Sequence, residues 1–129
     1  MLYALPPDPQ AALITFLGTH PDVSAISGMR VSSTRLDTPQ PRIQITALPG
    51  ENTQPWEEAA EFQLDCWGGT ETQALTLART VCAAIYDLTL QNATVTAAYP
   101  TLRPFASPDP DTGRPRYIVQ IQMVQSPAS

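Results

Sequence analysis

The feature that most constrains this chain is a strand that runs directly into a helix between residues 59 and 90. Residues 59–67 alternate between two faces, with Ala60, Phe62, Leu64 and Cys66 on one and Glu61, Gln63, Asp65 and Trp67 on the other. A period of two is typical of a half-buried strand. Two glycines then end the strand, Thr70 is a candidate N-cap, and apolar residues recur at spacings of three and four as far as Leu88. We therefore expect this strand and this helix to pack on each other while the remaining strands complete one sheet.

Weaker signals predict a second helix and four more strands. Asp8 followed by Pro9 is a favourable helix start and Gly18 a natural stop, so we expect a helix over about residues 8–18, behind an N-terminal arm of residues 1–7. Alternating apolar residues predict strands at 28–34, 42–48, 94–99 and 116–124. The order predicts a single domain of the α+β class, residues 1–129, with about five mostly antiparallel strands and two helices packed on one face.

Two proline-containing segments, residues 49–58 and 100–115, are predicted to be long loops. The first connects the strands at 42–48 and 59–67, which we expect to pair as a hairpin. The second has prolines at positions 100, 104, 108, 110 and 115 and a turn sequence at 109–114. Because long surface loops often carry function, we expect these two segments to make contacts with other subunits or with another protein of the same assembly.

Composition excludes some classes of partner. The net charge is −5, and the seven basic residues are all arginines scattered along the chain. Binding to nucleic-acid phosphates normally requires clustered Lys and Arg, so direct DNA or RNA binding is not expected. The sequence has no apolar run long enough to predict a membrane span.

Residues that commonly carry chemistry do not form a recognisable site in the sequence. His20 is the single histidine and lies beside a proline, so we expect a solvated turn residue. Cys66 and Cys82 lack the spacing of a zinc site, and buried free thiols are the favoured interpretation. Asp109 and Asp111 resemble the start of a calcium loop, but the closing glutamate is missing. We therefore predict no catalytic residue, no cofactor and no metal.

The polar face of the predicted sheet is a candidate interface. It carries mostly uncharged or amphipathic side chains, among them Gln44, Thr46, Gln63, Trp67, Gln120 and Gln122. A solvated face and a face that meets another subunit explain this composition equally well. For Arg114 and Arg116, ordinary surface charge and an ion pair with an acidic neighbouring subunit both stay open. The residues proposed for a subunit interface are Trp56, Trp67, Gln63, Asp109, Arg114 and Arg116.

Three segments carry a resemblance to a known family. They read DPQAALITFLGTHPDV at residues 8–23, EFQLDCWGGTETQALTLARTVCAAI at 61–85, and PDPDTGRPRYIVQIQMV at 108–124. In this succession the chain resembles the tail terminator (tail completion) proteins of long-tailed bacteriophages. The resemblance covers most of the chain, in order.

The resemblance implies a structural role in the virion. Such a protein caps the growing tail tube, ends its polymerisation and forms the surface that joins the head–tail connector. The implied partners are further copies in a hexameric ring, the tail tube protein and the connector proteins, with DNA only as cargo that passes through the channel. We further predict that the residues facing DNA are poor in Arg and rich in neutral or acidic groups. The implied location is the tail–neck junction, after assembly in the host cytoplasm. Alternatives are another neck protein (a connector or stopper), a tail-tube subunit or, more remotely, a small ligand-binding or enzymatic α+β domain.

Overall fold

The computed structural model describes residues 8–26, 29–33, 41–49, 58–92 and 94–126. Helix α1 spans Pro9–Thr19, and the Asp8 carboxylate caps it by accepting hydrogen bonds from the N–H groups of Gln10 and Ala11, at 3.0 and 3.4 Å. A short helix α2, Pro21–Ser24, follows at once. The predicted helix over residues 8–18 is confirmed, and its start has the expected cause in an Asp-Pro pair.

The remaining elements form one sheet and two further helices. They are β1 (Arg30–Ser32), β2 (Arg42–Leu48), β3 (Glu58–Trp67), α3 (Glu71–Ile85), α4 (Leu88–Gln91), β4 (Val95–Ala106) and β5 (Arg116–Gln125). The strand order is β1-β2-β3-β5-β4, and all neighbours are antiparallel except the parallel pair β1–β2. The predicted α+β fold with a five-stranded, mostly antiparallel sheet is confirmed, as is the hairpin between β2 and β3.

The junction between β3 and α3 is fixed by a capping box and by a glycine. The Thr70 hydroxyl accepts from the N–H of Gln73 at 3.1 Å, and the Gln73 side-chain oxygen accepts from the N–H of Thr70 at 3.0 Å. A Cβ atom at Gly68 would lie 2.5 Å from the backbone nitrogen of Ala74, closer than real contacts allow. Only glycine therefore lets the strand end pass this close to the first turn of the helix.

A single core lies between one face of the sheet and the helices. Its buried members include Leu13 and Leu17 of α1, Leu77, Val81 and Ile85 of α3, and Ile43, Ile45, Phe62, Leu64, Val119 and Ile121 of the sheet. Cys66 is buried in this core and Cys82 lies half-buried on α3, both as free thiols. Burial raises the pKa of both thiols, because the thiolate is poorly solvated there.

The structure corrects the prediction for residues 100–115, which are not a loop throughout. Residues 100–106 continue β4, although Pro100 and Pro104 lie among them. The physical reason is that β4 is an edge strand, where a missing N–H need not remove a ladder hydrogen bond. The ladder with β5 shifts register on both sides of Leu102, next to these prolines. The loop itself is residues 107–115.

Two other sequence predictions differ from the structure or lie outside it. The first strand is shorter than predicted, Arg30–Ser32 instead of residues 28–34, and the central helix ends at Ile85 before the short α4. The predicted loop at 49–58 lies mostly outside the described residues, although Glu58 already belongs to β3. Trp56 also lies outside them.

Candidate functional site

The face of the sheet away from the core, here called the outer face, is the main candidate surface. Cross-strand pairing arranges its side chains in rows over β2, β3 and β5. The rows are Arg42–Trp67–Arg116, Gln44–Asp65–Ile118, Thr46–Gln63–Gln120 and Leu48–Glu61–Gln122. The sequence assigned these residues of β3 and β5 to this face correctly, since alternation alone determines it.

The first row surrounds Trp67 with polar groups of its own chain. The indole ring is 2% exposed, with the guanidinium carbon of Arg42 4.2 Å and that of Arg116 5.6 Å from the ring centroid. Both distances are within the range of a cation–π interaction. The indole nitrogen donates a hydrogen bond to Asp109 Oδ2 at 3.1 Å. The indole ring is therefore covered by groups of its own chain. A neighbouring subunit at this end of the sheet would contact those groups and not the ring itself.

Arg116 is held by its own chain on several sides. Its Nε donates to the carbonyl oxygen of Ser107 at 2.7 Å, and one terminal nitrogen donates to the Ser107 hydroxyl at 3.2 Å. Another terminal nitrogen lies 3.6 Å from Asp65 Oδ2. Asp65 also accepts a hydrogen bond from the Gln63 amide at 2.9 Å. Arg116 is therefore not an ordinary free surface charge, because its carboxylate partner Asp65 lies within the chain, and its part in a subunit interface stays a prediction.

The loop 107–115 is tied down through Asp109, which is 1% exposed. Asp109 Oδ1 accepts from the N–H of Asp111 at 2.9 Å, and its carbonyl oxygen accepts from the N–H of Gly113 at 2.7 Å. Gly113 has a φ of 70°, which favours glycine. The predicted turn at 109–114 is confirmed. Its outer part, including Arg114, is exposed.

The proposed interface residues therefore divide into groups. Trp67, Asp109 and Arg116 come together in one buried polar cluster, and Gln63 joins it through Asp65. Arg114 lies on the exposed part of the loop, where its carbonyl oxygen accepts a hydrogen bond from the N–H of Asp109 at 3.0 Å. Sequence reasoning missed Arg42 as a member of the cluster, although its place at the start of β2, opposite the end of β3, was a usable signal. Membership of a subunit interface stays a prediction for all six residues.

A row of large apolar side chains on β4 was also missed. Tyr99, Leu102 and Phe105 are 39%, 47% and 42% exposed. They pair with Gln122, Gln120 and Ile118 of β5, which places all three on the outer face at the sheet edge. We call these three residues the β4 stripe. Sequence reasoning had assigned Leu102 and Phe105 to a loop and so could not place them on a face.

His20 has a structural position that corrects its prediction as a solvated residue. It is 4% exposed, and its Nδ1 accepts from the N–H of Asp22 at 3.2 Å, which caps α2. Its Nε2 lies 2.9 Å from Asp87 Oδ2, and its ring meets the edge of Phe16 at 5.5 Å between centroids. Because Nδ1 is an acceptor, the Nε2 atom carries the proton and donates to Asp87. The histidine thus joins the start of α2 to the end of α3.

Open cavities lie on the helical side of the described part of the chain, and two of them are lined as follows. One, here called the β1 groove, has a volume of about 590 Å³ and is lined by Ile14, Ser24, Ile26, Met29, Arg30 and Val31. The other, about 440 Å³, lies between α1 and α4. Among the described residues, no group of three or more His, Cys, Asp or Glu is arranged to hold a metal ion. None of the helices in these ranges is long and apolar enough to cross a membrane.

Comparison with known proteins does not assign the chain to a family. No protein-family model matches it, and no curated protein matches it either. The α+β fold and the outer face therefore stand as the structural basis for a functional proposal.

Proposed function

We propose that this chain is a structural virion protein that caps the tail tube of a long-tailed bacteriophage. It ends tube polymerisation and forms the surface that joins the head–tail connector. It acts as a ring, hexameric by the resemblance, around the channel through which DNA passes. It is not an enzyme and uses no cofactor, and its partners are its own copies, the tube protein and the connector proteins. Its place is the tail–neck junction of the virion.

The observation that carries the proposal is the ordered resemblance of three segments to tail terminators. Each segment contains a connection between two consecutive elements of this fold. Residues 8–23 form α1 and α2, residues 61–85 form most of β3, its glycine turn and α3, and residues 108–124 form the anchored loop and most of β5. The resemblance therefore covers both helical regions and two of the central strands of the fold.

Electrostatics support a role around DNA without binding to it. The chain is acidic overall, and two of its arginines, Arg42 and Arg116, are engaged with Trp67 and, for Arg116, with Asp65. Outside that cluster, Glu61 is the one charged residue in the described rows of the outer face. A weakly charged surface has few sites to neutralise phosphates, so DNA can pass without being retained.

The test is to delete the gene from its phage and to image the particles by electron microscopy. Overlong tails without heads are expected, because nothing would stop the tube. Tails of normal length without heads would assign the chain to the connector instead, and absence of tails would assign it to the tube. Normal infectious particles would contradict all three structural roles.

A further inference from the structure

We propose that His20 is a pH-sensitive switch, which holds the start of α2 when its ring is neutral and releases it when the ring is protonated. The inference does not depend on the proposed function. It rests on the two different bonds that the ring nitrogens of His20 make. One of these bonds tolerates a second proton on the ring and the other does not.

The bond at Nδ1 requires a neutral ring. The N–H of Asp22 donates to Nδ1 across 3.2 Å and so uses the lone pair of this nitrogen. A proton on Nδ1 occupies that lone pair and makes the nitrogen a donor, so that two N–H groups face each other. The hydrogen bond that caps α2 is therefore lost when the ring gains its second proton.

The bond at Nε2 persists in both states of the ring. Nε2 carries a proton in this neutral tautomer and in the cation alike, and it lies 2.9 Å from Asp87 Oδ2. In the cation this contact becomes an ion pair. The Asp87 side chain is 46% exposed, so solvent weakens the added attraction without removing the hydrogen bond. The protonated ring therefore stays tied to the end of α3 while its bond to α2 is lost.

The surroundings of the ring allow the cation to form in the folded protein. Burial of His20 opposes the cation, but Asp87 favours it, and so does the C-terminal end of α1, which His20 directly follows. Neither α1 nor α4 contains an ionisable residue. The other ionisable residues of α2, of α3 and of the turn after α3 are Asp22, Glu71, Arg79, Cys82 and Tyr86. In the described structure, none of their side chains forms an ion pair or a hydrogen bond with the ring.

Helix α2 is short enough for one hydrogen bond to matter. It has four residues, and the first of them, Pro21, has no N–H. Its backbone is held by bonds from Ser24 to the carbonyl oxygen of His20 and from Ala25 to that of Pro21, at 2.8 and 3.1 Å. A single turn lacks the cooperative support of a long helix. The bond from Asp22 to Nδ1 is therefore a large part of what fixes this turn.

Release of α2 extends to the edge of the sheet. Val23 of α2 is completely buried, and Ile26 and Met29, which follow it, pack against the core. The chain then enters β1, an edge strand of three residues that is paired with β2 alone among the described strands. Loss of the cap thus weakens the anchorage of β1 on its N-terminal side. We expect acid to loosen α2 and β1 and to leave α3 unchanged.

An NMR titration of the purified full chain, without a histidine tag, tests the switch. The nitrogen-15 chain is followed from about pH 8 to about pH 5, the range in which imidazoles titrate. Because His20 is the single histidine, its ring nitrogens report protonation without overlap, and the amide proton of Asp22 reports the cap. The Asp22 amide proton should move upfield, as expected for a lost hydrogen bond, with the same pH midpoint as the ring.

Amide hydrogen exchange measures the release itself. After correction for the intrinsic effect of pH, the amides of α2 should exchange about fivefold faster when the ring is protonated, the change that loss of a typical N-cap produces. The matched control is His20→Asn, which keeps an acceptor for the Asp22 N–H but does not titrate, so the pH dependence at α2 should disappear. Asp87→Asn removes a charge that favours the cation, so the midpoint of the parent should move to lower pH.

An Asp22 amide that does not respond while the ring titrates would overturn the inference. The same response of α2 to pH in His20→Asn would overturn it as well, because another group would then be the cause. A ring that stays neutral down to about pH 5, or a chain that unfolds as a whole before the ring is protonated, would show that the folded protein contains no such switch.

Discussion

The indole nitrogen of Trp67 donates a hydrogen bond of 3.1 Å to a carboxylate oxygen of Asp109, 42 residues further along the chain. This bond fastens the loop 107–115 to the end of the central strand β3. Both residues are almost completely buried, so each provides the hydrogen-bond partner that water would otherwise provide for the other. A buried polar group without a partner costs more than an ordinary hydrogen bond contributes.

Asp109→Ala should therefore lower the free energy of unfolding by about 2–3 kcal/mol, because it leaves the indole N–H without an acceptor and removes a support of the turn. Urea unfolding followed by tryptophan fluorescence measures the change. Asp109→Asn, which keeps an acceptor oxygen, should cost less. The surface control Thr72→Ala should stay within about 0.5 kcal/mol of the parent. Equal stability of Asp109→Ala and the parent would refute the anchoring role.

Two glycine substitutions should change the stability of the protein in opposite directions. Gly68→Ala places a methyl group 2.5 Å from the backbone nitrogen of Ala74, so overpacking should destabilise the protein by about 1–3 kcal/mol. Gly18 lies within α1, and a Cβ there meets nothing within 4 Å. Gly18→Ala should therefore stabilise the protein by about 0.5–1 kcal/mol. Thermal unfolding measures both, and a stabilising Gly68→Ala would contradict the close approach of strand and helix.

Stability should fall at alkaline pH through Cys66. Burial raises the pKa of this thiol in the folded state above its unfolded value of about 8.5. The unfolded chain therefore releases the proton first, and the stability present below that pH is lost as the pH rises above it, by at most about 1.4 kcal/mol per pH unit. Urea unfolding between neutral pH and pH 10 should show this slope, and Cys66→Ala should reduce it.

The control for this pH dependence is Cys82→Ala. Cys82 lies half-buried, and burial raises the pKa of its thiol as well. Since Cys82 retains contact with solvent, its removal should change the slope less than removal of Cys66. Equal slopes in the parent and in Cys66→Ala would show that another group causes the alkaline loss.

His20 should matter for stability through its two ring nitrogens. His20→Ala removes the cap of α2, the hydrogen bond to Asp87 and the contact with Phe16, and should cost about 2–3 kcal/mol. His20→Asn restores an acceptor for the cap and should recover part of the loss. Asp87→Asn tests the second nitrogen separately, because it keeps an acceptor oxygen but removes the charge. Urea unfolding at pH 7 compares the free energies of unfolding of the three variants. If His20→Ala were as stable as the parent, His20 would be an ordinary turn residue without a structural role.

The parts of the fold that follow from local patterns could be predicted from the sequence. The β3–α3 unit combines period-two alternation, a glycine break, a cap and helical periodicity within about thirty residues, and all of these agree. The assignment of residues to the two faces of β3 and β5 follows from alternation in the same way.

The parts that depend on the order of strands could not be predicted in this way. Proline at 100 and 104 argues for a loop unless the strand is known to lie at the edge of the sheet, which only the topology reveals. The burial of Trp67 and of His20 likewise depends on partners, Asp109 and Asp87, that lie 42 and 67 residues away in the chain. Period-two alternation gives the face of a side chain but not what covers it.

The strand order also has a consequence for the timing of folding. β5 is the last of the described strands along the chain, yet it lies between β3 and β4 and pairs with β3 over ten residues, from Glu58–Trp67 to Arg116–Gln125. During synthesis, β3 can pair with β2 along one edge, but its other edge stays unpaired until β5 has emerged. The nascent chain thus carries a central strand with one unpaired edge until β5 emerges, and this interval is when aggregation or chaperone binding competes with folding.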